Sequence, residues 1–370
     1  MSKKPVVVYG ASGYTGRLIA EYLRQYQIPF IAAGRNAARI EEAMAKVPGI
    51  ETADYEIVQV DHNVDALTEL FTGTEVVCNT VGPFLYYGFE VAEACANAKT
   101  HYLDSGGEVA VLSAFKKQFD EAFTANGKVL APSTAYMYTV LEIAARKVLE
   151  TPGIDSLECL CAPTGTPTYG STQTIFAMFS TADESFYLQN DQMVNWPAAK
   201  GYEVNMPGQI DTLLTHPWGG GTLPLYFQDD PRVRNVRQLT GFTDRALMEA
   251  LIQMQHMYET EIKTLPEDQQ AEKLKALGES MQPGMPPREN PLVHRNIDVV
   301  HGRGGNSAVS CEIRSVMPYQ TTGLIQAATA NFLLGGHQLT SGFTSACEAV
   351  GHNEIFGQVQ NFGLAEMVIS

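Results

Sequence analysis

Apolar and polar positions fall into short blocks along the first third of the chain, and the blocks separate buried strands from one-faced helices. Val6, Val7 and Val8 are β-branched with no polar position among them, as a central parallel strand covered on both faces requires. Tyr14 to Tyr26 then places Leu18, Ile19, Tyr22 and Leu23 on one stripe at helical spacing. Pro29 to Gly34 predicts a second strand, Asn36 to Val47 a second amphipathic helix, Tyr55 to Asp61 a third strand, Asn63 to Phe71 a third helix and Glu75 to Val81 a fourth strand. Helix, strand and helix repeat through Gly88 to Lys99, His101 to Asp104 and Val109 to Asn126, before a last strand Lys128 to Ala131. Such alternation predicts an α/β fold built on a doubly wound parallel sheet.

Further along, the pattern is less regular. Tyr138 to Glu150 reads as a helix leading to Pro152-Gly153, and Ser156 to Cys161 as a strand followed by a loop rich in Thr, Pro and Gly through Gly170-Ser171-Thr172. Strand-like and irregular segments continue to about Phe242. From Thr243 to about Lys263, the residues Leu247, Met248, Leu251, Ile252, Tyr258 and Ile262 fall near one helical face, with Thr243 or Asp244 as cap. Five of the 13 methionines lie between Met248 and Met285. They fit an adaptable lid or docking surface, or a helical insertion with a methionine-containing core. Gln282 to Pro291 carries four prolines and reads as a linker. Ile297 to Val300 and Ala308 to Val316, joined through HGRGGNS, predict a β-hairpin whose glycines supply the positive φ of the turn.

At 370 residues the chain is long for one core, so two domains are expected. Hydrophobic residues make up 45% and charged residues 18%, the balance of a globular protein in water. A formal charge of -16 and a sequence pI near 4.9 leave no basic stripe, which excludes a nucleic-acid surface. Two lysines in Met1 to Pro5 precede only a short apolar strand, and no apolar run reaches spanning length. Neither a signal peptide nor a membrane span is expected, and a cytoplasmic location follows by default. The six cysteines, Cys78, Cys95, Cys159, Cys161, Cys311 and Cys347, are scattered and read as reduced core residues. The eight histidines form no metal-ligand spacing, so no metal is expected.

Candidate chemistry begins at Val6 to Gly16, VVVYGASGYTG, where the first strand turns into the first helix through G-x-x-G-x-x-G. Gly10 suits a tight turn, Gly13 lets backbone approach a pyrophosphate and Gly16 lets helix and strand pack closely, while the helix N-terminus presents N–H groups to an anion. Ser12 stands where G-x-G-x-x-G has its second glycine, a pattern common among NADP-binding variants. NAD-binding versions carry an acid at the end of the second strand, whereas a cation there accommodates a 2′-phosphate. Here the strand ends in Gly34-Arg35-Asn36. Arg35 is suited to grip a phosphate as a fork and Asn36 to add a hydrogen bond, so NADP is the expected cofactor. A solvated surface arginine is the plain alternative. Asp61 is placed to contact adenine or to cap the helix from Asn63 onward. Asn79, Val81, Gly82 and Pro83, where the fourth strand turns at the carboxyl edge of the sheet, are placed to line the nicotinamide side.

The segments GASGYTG, AAGRN and NTVGPFLYYGFEVAEACANAKTHYLDSGGE together resemble the saccharopine dehydrogenase-like oxidoreductases, a family that includes saccharopine reductases and trans-acting enoyl reductases of polyketide lipids. The resemblance covers most of the first ~130 residues, a domain-sized span, and faintly the C-terminus, where GLIQAATANFLLGG and LTSGFTSACEAVG look like the family's closing helix and threonine-proline segment. It implies a Rossmann-type NADP-binding domain over 1–135 with a C-terminal return over 320–370, and a second mixed α/β domain over 136–319 for substrate and dimerisation, carrying the helical insertion of about 243–282. It also implies that Gly10, Ser12, Gly13, Tyr14 and Thr15 hold the pyrophosphate, Arg35 the 2′-phosphate, and Asn79, Gly82 and Pro83 the nicotinamide half. Family members often have a Gly-Phe-Asp-Ser-Ile-Pro-like stretch after the sixth strand. Ser133-Thr134-Ala135-Tyr136-Met137-Tyr138 stands there instead, so no substrate residue is carried over.

The expected chemistry is NADPH-dependent reduction of a small molecule, with the protein supplying orientation and a proton. Tyr86 and Tyr87 are the candidate acids, with Asp104 and Glu108 flanking the next strand end and solvent as the alternative donor. Between Lys147 and Arg232 the only cation is Lys200, whereas Tyr169, Phe176, Phe179, Phe186, Tyr187, Trp196 and Trp218 are plentiful. A substrate rich in carboxylates calls for arginine forks. A largely apolar or cyclic substrate reduced at C=C or C=O fits better. Imine reduction, using Arg232, Arg295 or Arg303, is the alternative, and a non-catalytic NADP sensor or scaffold is another. A homo-oligomer, a dimer, is the expected assembly.

Overall fold

The β-branched run at the N-terminus sits where its pattern requires, with Val6, Val7 and Val8 wholly excluded from solvent in the middle of a sheet. The structure, a computed structural model, describes residues 3–370 apart from 198, 218–220 and 283, so Trp218 and Pro283 lie outside the described residues. The chain divides into two compact units. One runs to Gly106 and adds Val111–Thr139 and Tyr319–Leu364; the other holds Gly107–Ala110, Val140–Pro318 and Ala365–Ser370.

The chain opens with β1 (Val6–Tyr9), α1 (Tyr14–Gln25), β2 (Phe30–Gly34), α2 (Ala37–Met44), β3 (Tyr55–Gln59), α3 (Val64–Phe71), β4 (Val76–Asn79), α4 (Phe84–Ala98), β5 (His101–Asp104), α5 (Val109–Ala125), β6 (Val129–Ala131) and α6 (Tyr136–Val148). It continues through β7 (Ser156–Ala162), α7 (Tyr169–Phe179), β8 (Phe186–Gln189), β9 (Gln192–Asn195), β10 (Tyr202–Asn205), β11 (Thr212–Thr215), α8 (Thr222–Phe227), β12 (Asn235–Thr240), α9 (Arg245–Thr260) and α10 (Glu267–Met281). It closes with β13 (Arg295–Gly304), β14 (Ser307–Val316), α11 (Pro318–Leu334), β15 (Gly342–Phe343), α12 (Ala346–Val350), α13 (His352–Asn361) and β16 (Ala365–Ile369).

In the first unit the strands form one parallel sheet in the order β15-β6-β5-β4-β1-β2-β3. The doubly wound α/β fold expected from the alternation is borne out. The strand order reverses between β1 and β4, which opens a crevice at their carboxyl ends. Burial of Val7, Tyr9, Ile31, Val77, Tyr102 and Phe115 in one continuous core holds those ends in register.

A second, mixed sheet, ordered β16-β14-β13-β7-β12-β8-β9, forms the other unit, with β7 and β12 parallel and the remaining pairs antiparallel. The β13–β14 hairpin turns through Gly305 at a φ of 50°. Two readings of this half change. The Thr, Pro and Gly-rich stretch expected as loop runs into α7: the Thr168 hydroxyl accepts from the Ser171 N–H as an N-cap, and Ile175, Phe176 and Phe179 fall on a buried face. Residues 320–370 do not all return to the first sheet, because β16 pairs with β14, with Ile369 opposite Cys311. The methionines resolve toward the core reading. Met248 is buried with Leu251, Tyr258, Phe176 and Leu274, and Met178, Met254, Met257 and Met281 pack around them. Among the described residues no helix is long and apolar enough to cross a membrane.

Candidate functional site: the carboxyl edge of the first sheet

The turn after β1 is built from backbone hydrogen bonds and one threonine hydroxyl. Gly10 has a φ of 91°, and its N–H and that of Ala11 both donate to the Ala33 carbonyl, at 2.9 and 3.2 Å, tying β1 to β2. The Gly13 N–H donates back to the Gly10 carbonyl at 2.9 Å. Thr80 fastens the turn from the other side, its hydroxyl donating to the carbonyls of Tyr9 at 3.0 Å and Gly10 at 3.2 Å. A Cβ at Gly10 lies 2.5 Å from the Thr80 Oγ1, and one at Gly16 lies 2.5 Å from the Gly10 carbonyl oxygen. The fold itself demands both glycines. A Cβ at Gly13 meets only the Gly10 oxygen, at 3.2 Å, so the protein leaves that space open. Gly13 also N-caps α1 without a side-chain hydrogen bond, leaving first-turn N–H groups of the helix facing outward. A pyrophosphate fits this cradle, with Ser12 and Thr15 half-buried beside it. The Tyr14 ring is not part of it: it packs edge-on against Tyr319 at 5.3 Å, and only its backbone belongs to the turn.

At the tip of β2, Arg35 is exposed and holds no hydrogen bond or ion pair among the described residues. Asn36 has a structural task, its side chain capping α2 by accepting from the Arg39 N–H at 3.0 Å. Asp61 is exposed, and α3 is capped by Asn63, which accepts from Ala66 at 2.9 Å, so the capping alternative for Asp61 falls away. Between them stands His62, a residue the motifs did not single out. Its Nδ1 is 2.8 Å from the Tyr9 hydroxyl and its Nε2 is 3.6 Å from Glu90. Position was the available signal: His62 follows β3 at the same sheet edge as Arg35.

Across β4 and β5 a second set of side chains is buried. Asn79 accepts from the Val81 N–H at 3.0 Å and donates to the Tyr102 hydroxyl at 3.1 Å; Tyr102 in turn donates to Asp104 at 2.7 Å. The other Asp104 oxygen accepts from Gly106 at 2.8 Å and Ser133 at 2.9 Å. Burial pushes the Asp104 carboxyl up to about 6 despite these donors. With both oxygens occupied and 1% exposure, Asp104 positions the strand end and does not present a proton outward. Glu108 is equally buried and accepts from the Gly107 N–H at 3.0 Å. The Gly82–Pro83 bond is cis, and the Pro83 carbonyl accepts from Tyr86 and Tyr87, opening α4. Tyr86 and Tyr87 are 42% and 38% exposed. The Tyr87 ring meets His62 edge-on at 5.4 Å and the Tyr86 ring edge-on at 6.4 Å.

Most arginines of the second unit face carboxylates. Arg146 pairs with Glu142, Arg232 with Asp230, Arg234 with Asp191, Arg245 with Glu203 and Glu249, and Arg314 with Glu312; Arg237 and Arg303 share Glu158. Its aromatic residues are engaged as well. Phe176 and Phe179 belong to the helical core, and Tyr187, Trp196 and Tyr202 form a ladder, with ring centroids 4.5 and 5.4 Å apart, flanked by Arg237 and Lys200. Aromatic abundance in this unit therefore does not mark an apolar pocket. Among the described residues no group of three or more His, Cys, Asp or Glu side chains is placed to hold a metal.

A doubly wound parallel sheet with an uncapped helix N-terminus and a glycine turn at its switch point defines a dinucleotide-binding domain of the Rossmann type. Residues 6–140 match the saccharopine dehydrogenase NADP binding domain, bearing out the resemblance read from the motifs. The chain as a whole belongs to a family of unknown function (DUF5938), whose model matches residues 139–370. Among curated proteins, a trans-acting enoyl reductase of Mycobacterium ulcerans is 36% identical over 107 residues, 28% of this chain and 25% of the relative. A lipid droplet localized protein of Caenorhabditis elegans is 30% identical over 129 residues, 33% of this chain and 30% of the relative. The chain thus spans less than a third of either. An apo saccharopine dehydrogenase (L-Glu forming) from Saccharomyces cerevisiae shares the fold over 100% of both chains, with a TM-score of 0.63 at 13% identity.

Proposed function

We propose that this protein is an NADPH-dependent oxidoreductase that reduces a largely apolar or cyclic substrate at C=C or C=O. The observation that carries the reading is Arg35, an exposed cation without a partner at the tip of β2, beside a helix N-terminus whose first turn lacks a side-chain cap. In this reading Gly10, Ser12, Gly13, Tyr14 and Thr15 hold the pyrophosphate, Arg35 holds the 2′-phosphate, and Asn79, Val81, Gly82 and Pro83 orient the nicotinamide half. The cofactor, when bound, supplies a hydride; the protein's part is to bind, orient and deliver a proton. The buried chain from Asn79 through Tyr102 to Asp104 fixes the Val81 N–H and the Gly106 turn on that side.

Tyr86 and Tyr87, both partly exposed at the start of α4 and each in an edge-on ring contact, are the two candidate acids. Substrate class follows from charge. Of Arg232, Arg295 and Arg303, the arginines open to an imine dicarboxylate, Arg232 and Arg303 already face Asp230 and Glu158, which supports an uncharged acceptor, while Arg295 holds no ion pair among the described residues. The name of the mycobacterial relative, a trans-acting enoyl reductase, favours C=C over C=O. The test follows NADPH oxidation with enones, ketones and imines. Turnover on enones or ketones is expected, falling ~10² to 10⁴-fold in whichever of Tyr86→Phe and Tyr87→Phe removes the acid and staying near full in the other, with NADPH affinity kept in both. Turnover confined to imines overturns the substrate class, and tight NADPH binding without oxidation of any acceptor class makes the protein a sensor.

A further inference from the structure

Two elements of the first unit contact His62, and a third bears on it through charge. From β1 the Tyr9 hydroxyl reaches its Nδ1 at 2.8 Å, with the two rings nearly parallel and 6.0 Å apart. From α4, Tyr87 meets the ring edge-on at 5.4 Å, and the Glu90 carboxylate stands 3.6 Å from Nε2. From the tip of β2, the charge of Arg35 acts on both Tyr9 and His62. Burial pushes the Tyr9 phenol up to about 12, so near neutral pH its hydroxyl keeps its proton. The Glu90 carboxylate beside Nε2 favours the tautomer of the neutral ring with its proton there, which leaves Nδ1 to accept from the Tyr9 hydroxyl.

We propose that His62 is a second reader of the cofactor's 2′-phosphate, taking up a proton when that phosphate docks beside Arg35 and so adding a pH-dependent preference for NADPH over NADH. The proposal rests on the NADP reading of the first unit. In the free protein, burial favours the neutral imidazole, Glu90 opposes it, and Arg35 adds repulsion. A phosphate carrying close to two negative charges next to Arg35 reverses the sign of that last influence. Protonation and phosphate binding then favour each other, and the linkage is reciprocal. Tyr9 serves both states, because its oxygen accepts from a protonated Nδ1 as readily as its hydrogen serves a neutral one. NADH carries no phosphate at this position, so its binding leaves the imidazole neutral.

The experiment titrates the full chain with NADPH and with NADH by nucleotide fluorescence at several pH values from about 8 to about 6, for the wild type and His62→Gln. The phosphate's own protonation near pH 6 acts on both proteins alike, so the readout is the ratio of their affinities. For NADPH that ratio is expected to move ~3- to 10-fold in favour of the wild type as pH falls, and for NADH to stay flat. Independently of any variant, calorimetry in two buffers of different ionisation enthalpy is expected to show more proton uptake with NADPH than with NADH. A flat NADPH ratio, or equal uptake with both nucleotides, overturns the role of His62 and leaves the cofactor reading standing. If the wild type binds neither nucleotide, the cofactor reading falls, and this inference with it.

Discussion

Arg35 and Asp104 show two opposite ways for a charged side chain to matter at one sheet edge. Arg35 is exposed and without a protein partner, so its value lies in what it meets on binding. Arg35→Glu is expected to weaken NADPH binding by ~1.5 to 3 kcal/mol more than NADH binding, the scale of a lost charge-assisted contact; equal losses in fluorescence titrations contradict the phosphate role. Asp104 is buried, with its folded pKa raised from the ordinary 3.8 to about 6. A raised folded pKa means that its contribution to stability is complete below about pH 4 and is lost as pH rises through about 6. Relative to Asp104→Asn, which cannot titrate, the wild type is therefore expected to lose roughly 1 to 3 kcal/mol between about pH 4 and about pH 7. Urea unfolding of both proteins across that range checks it, and parallel profiles contradict it. Arg35 was legible because its distance from the glycines is fixed by the strand-helix-strand path. His62 was not, because Tyr9 and Glu90, which give it meaning, lie 53 and 28 residues away.

Among the elements, the turn from β1 into α1 separates glycines the fold needs from the one it leaves open. Gly16→Val drives a side chain into the Gly10 carbonyl and Ala11 Cα, 2.5 and 2.8 Å from its Cβ, and is expected to cost ~1 to 3 kcal/mol of stability. Gly13→Val meets only the 3.2 Å contact with the Gly10 oxygen, so the fold should survive while the branched side chain takes the place of the pyrophosphate. Denaturation midpoints and NADPH titrations on the two variants should therefore diverge; matched losses of stability would make Gly13 a structural corner. The strands and helices of this unit were readable because each buries one face or two in an unbroken rhythm. Helix α7 was not: its first turn, Tyr169-Gly170-Ser171-Thr172, has the composition of a loop, and the apolar residues that declare it come only at Ile175, Phe176 and Phe179.

At the scale of the whole molecule, legibility follows the range of the pairings. In the first sheet, β1, β2 and β3 lie side by side in chain order, and the motifs fall on their ends. In the second, β7 is flanked by β12 and β13, strands that begin 79 and 139 residues after it, and no local rhythm announces such neighbours. In this half arginines such as Arg232 and Arg303 are paired with carboxylates and Tyr187, Trp196 and Tyr202 pack on one another, so the better-defined chemistry lies at the cofactor edge of the first unit. That this edge holds NADP is checked by a crystal structure of the full chain with NADP bound. The pyrophosphate is expected against the backbone of Gly10 to Thr15 and the 2′-phosphate at Arg35; a nucleotide seated elsewhere, or one whose 2′-phosphate points away from Arg35 into solvent, overturns the NADP assignment.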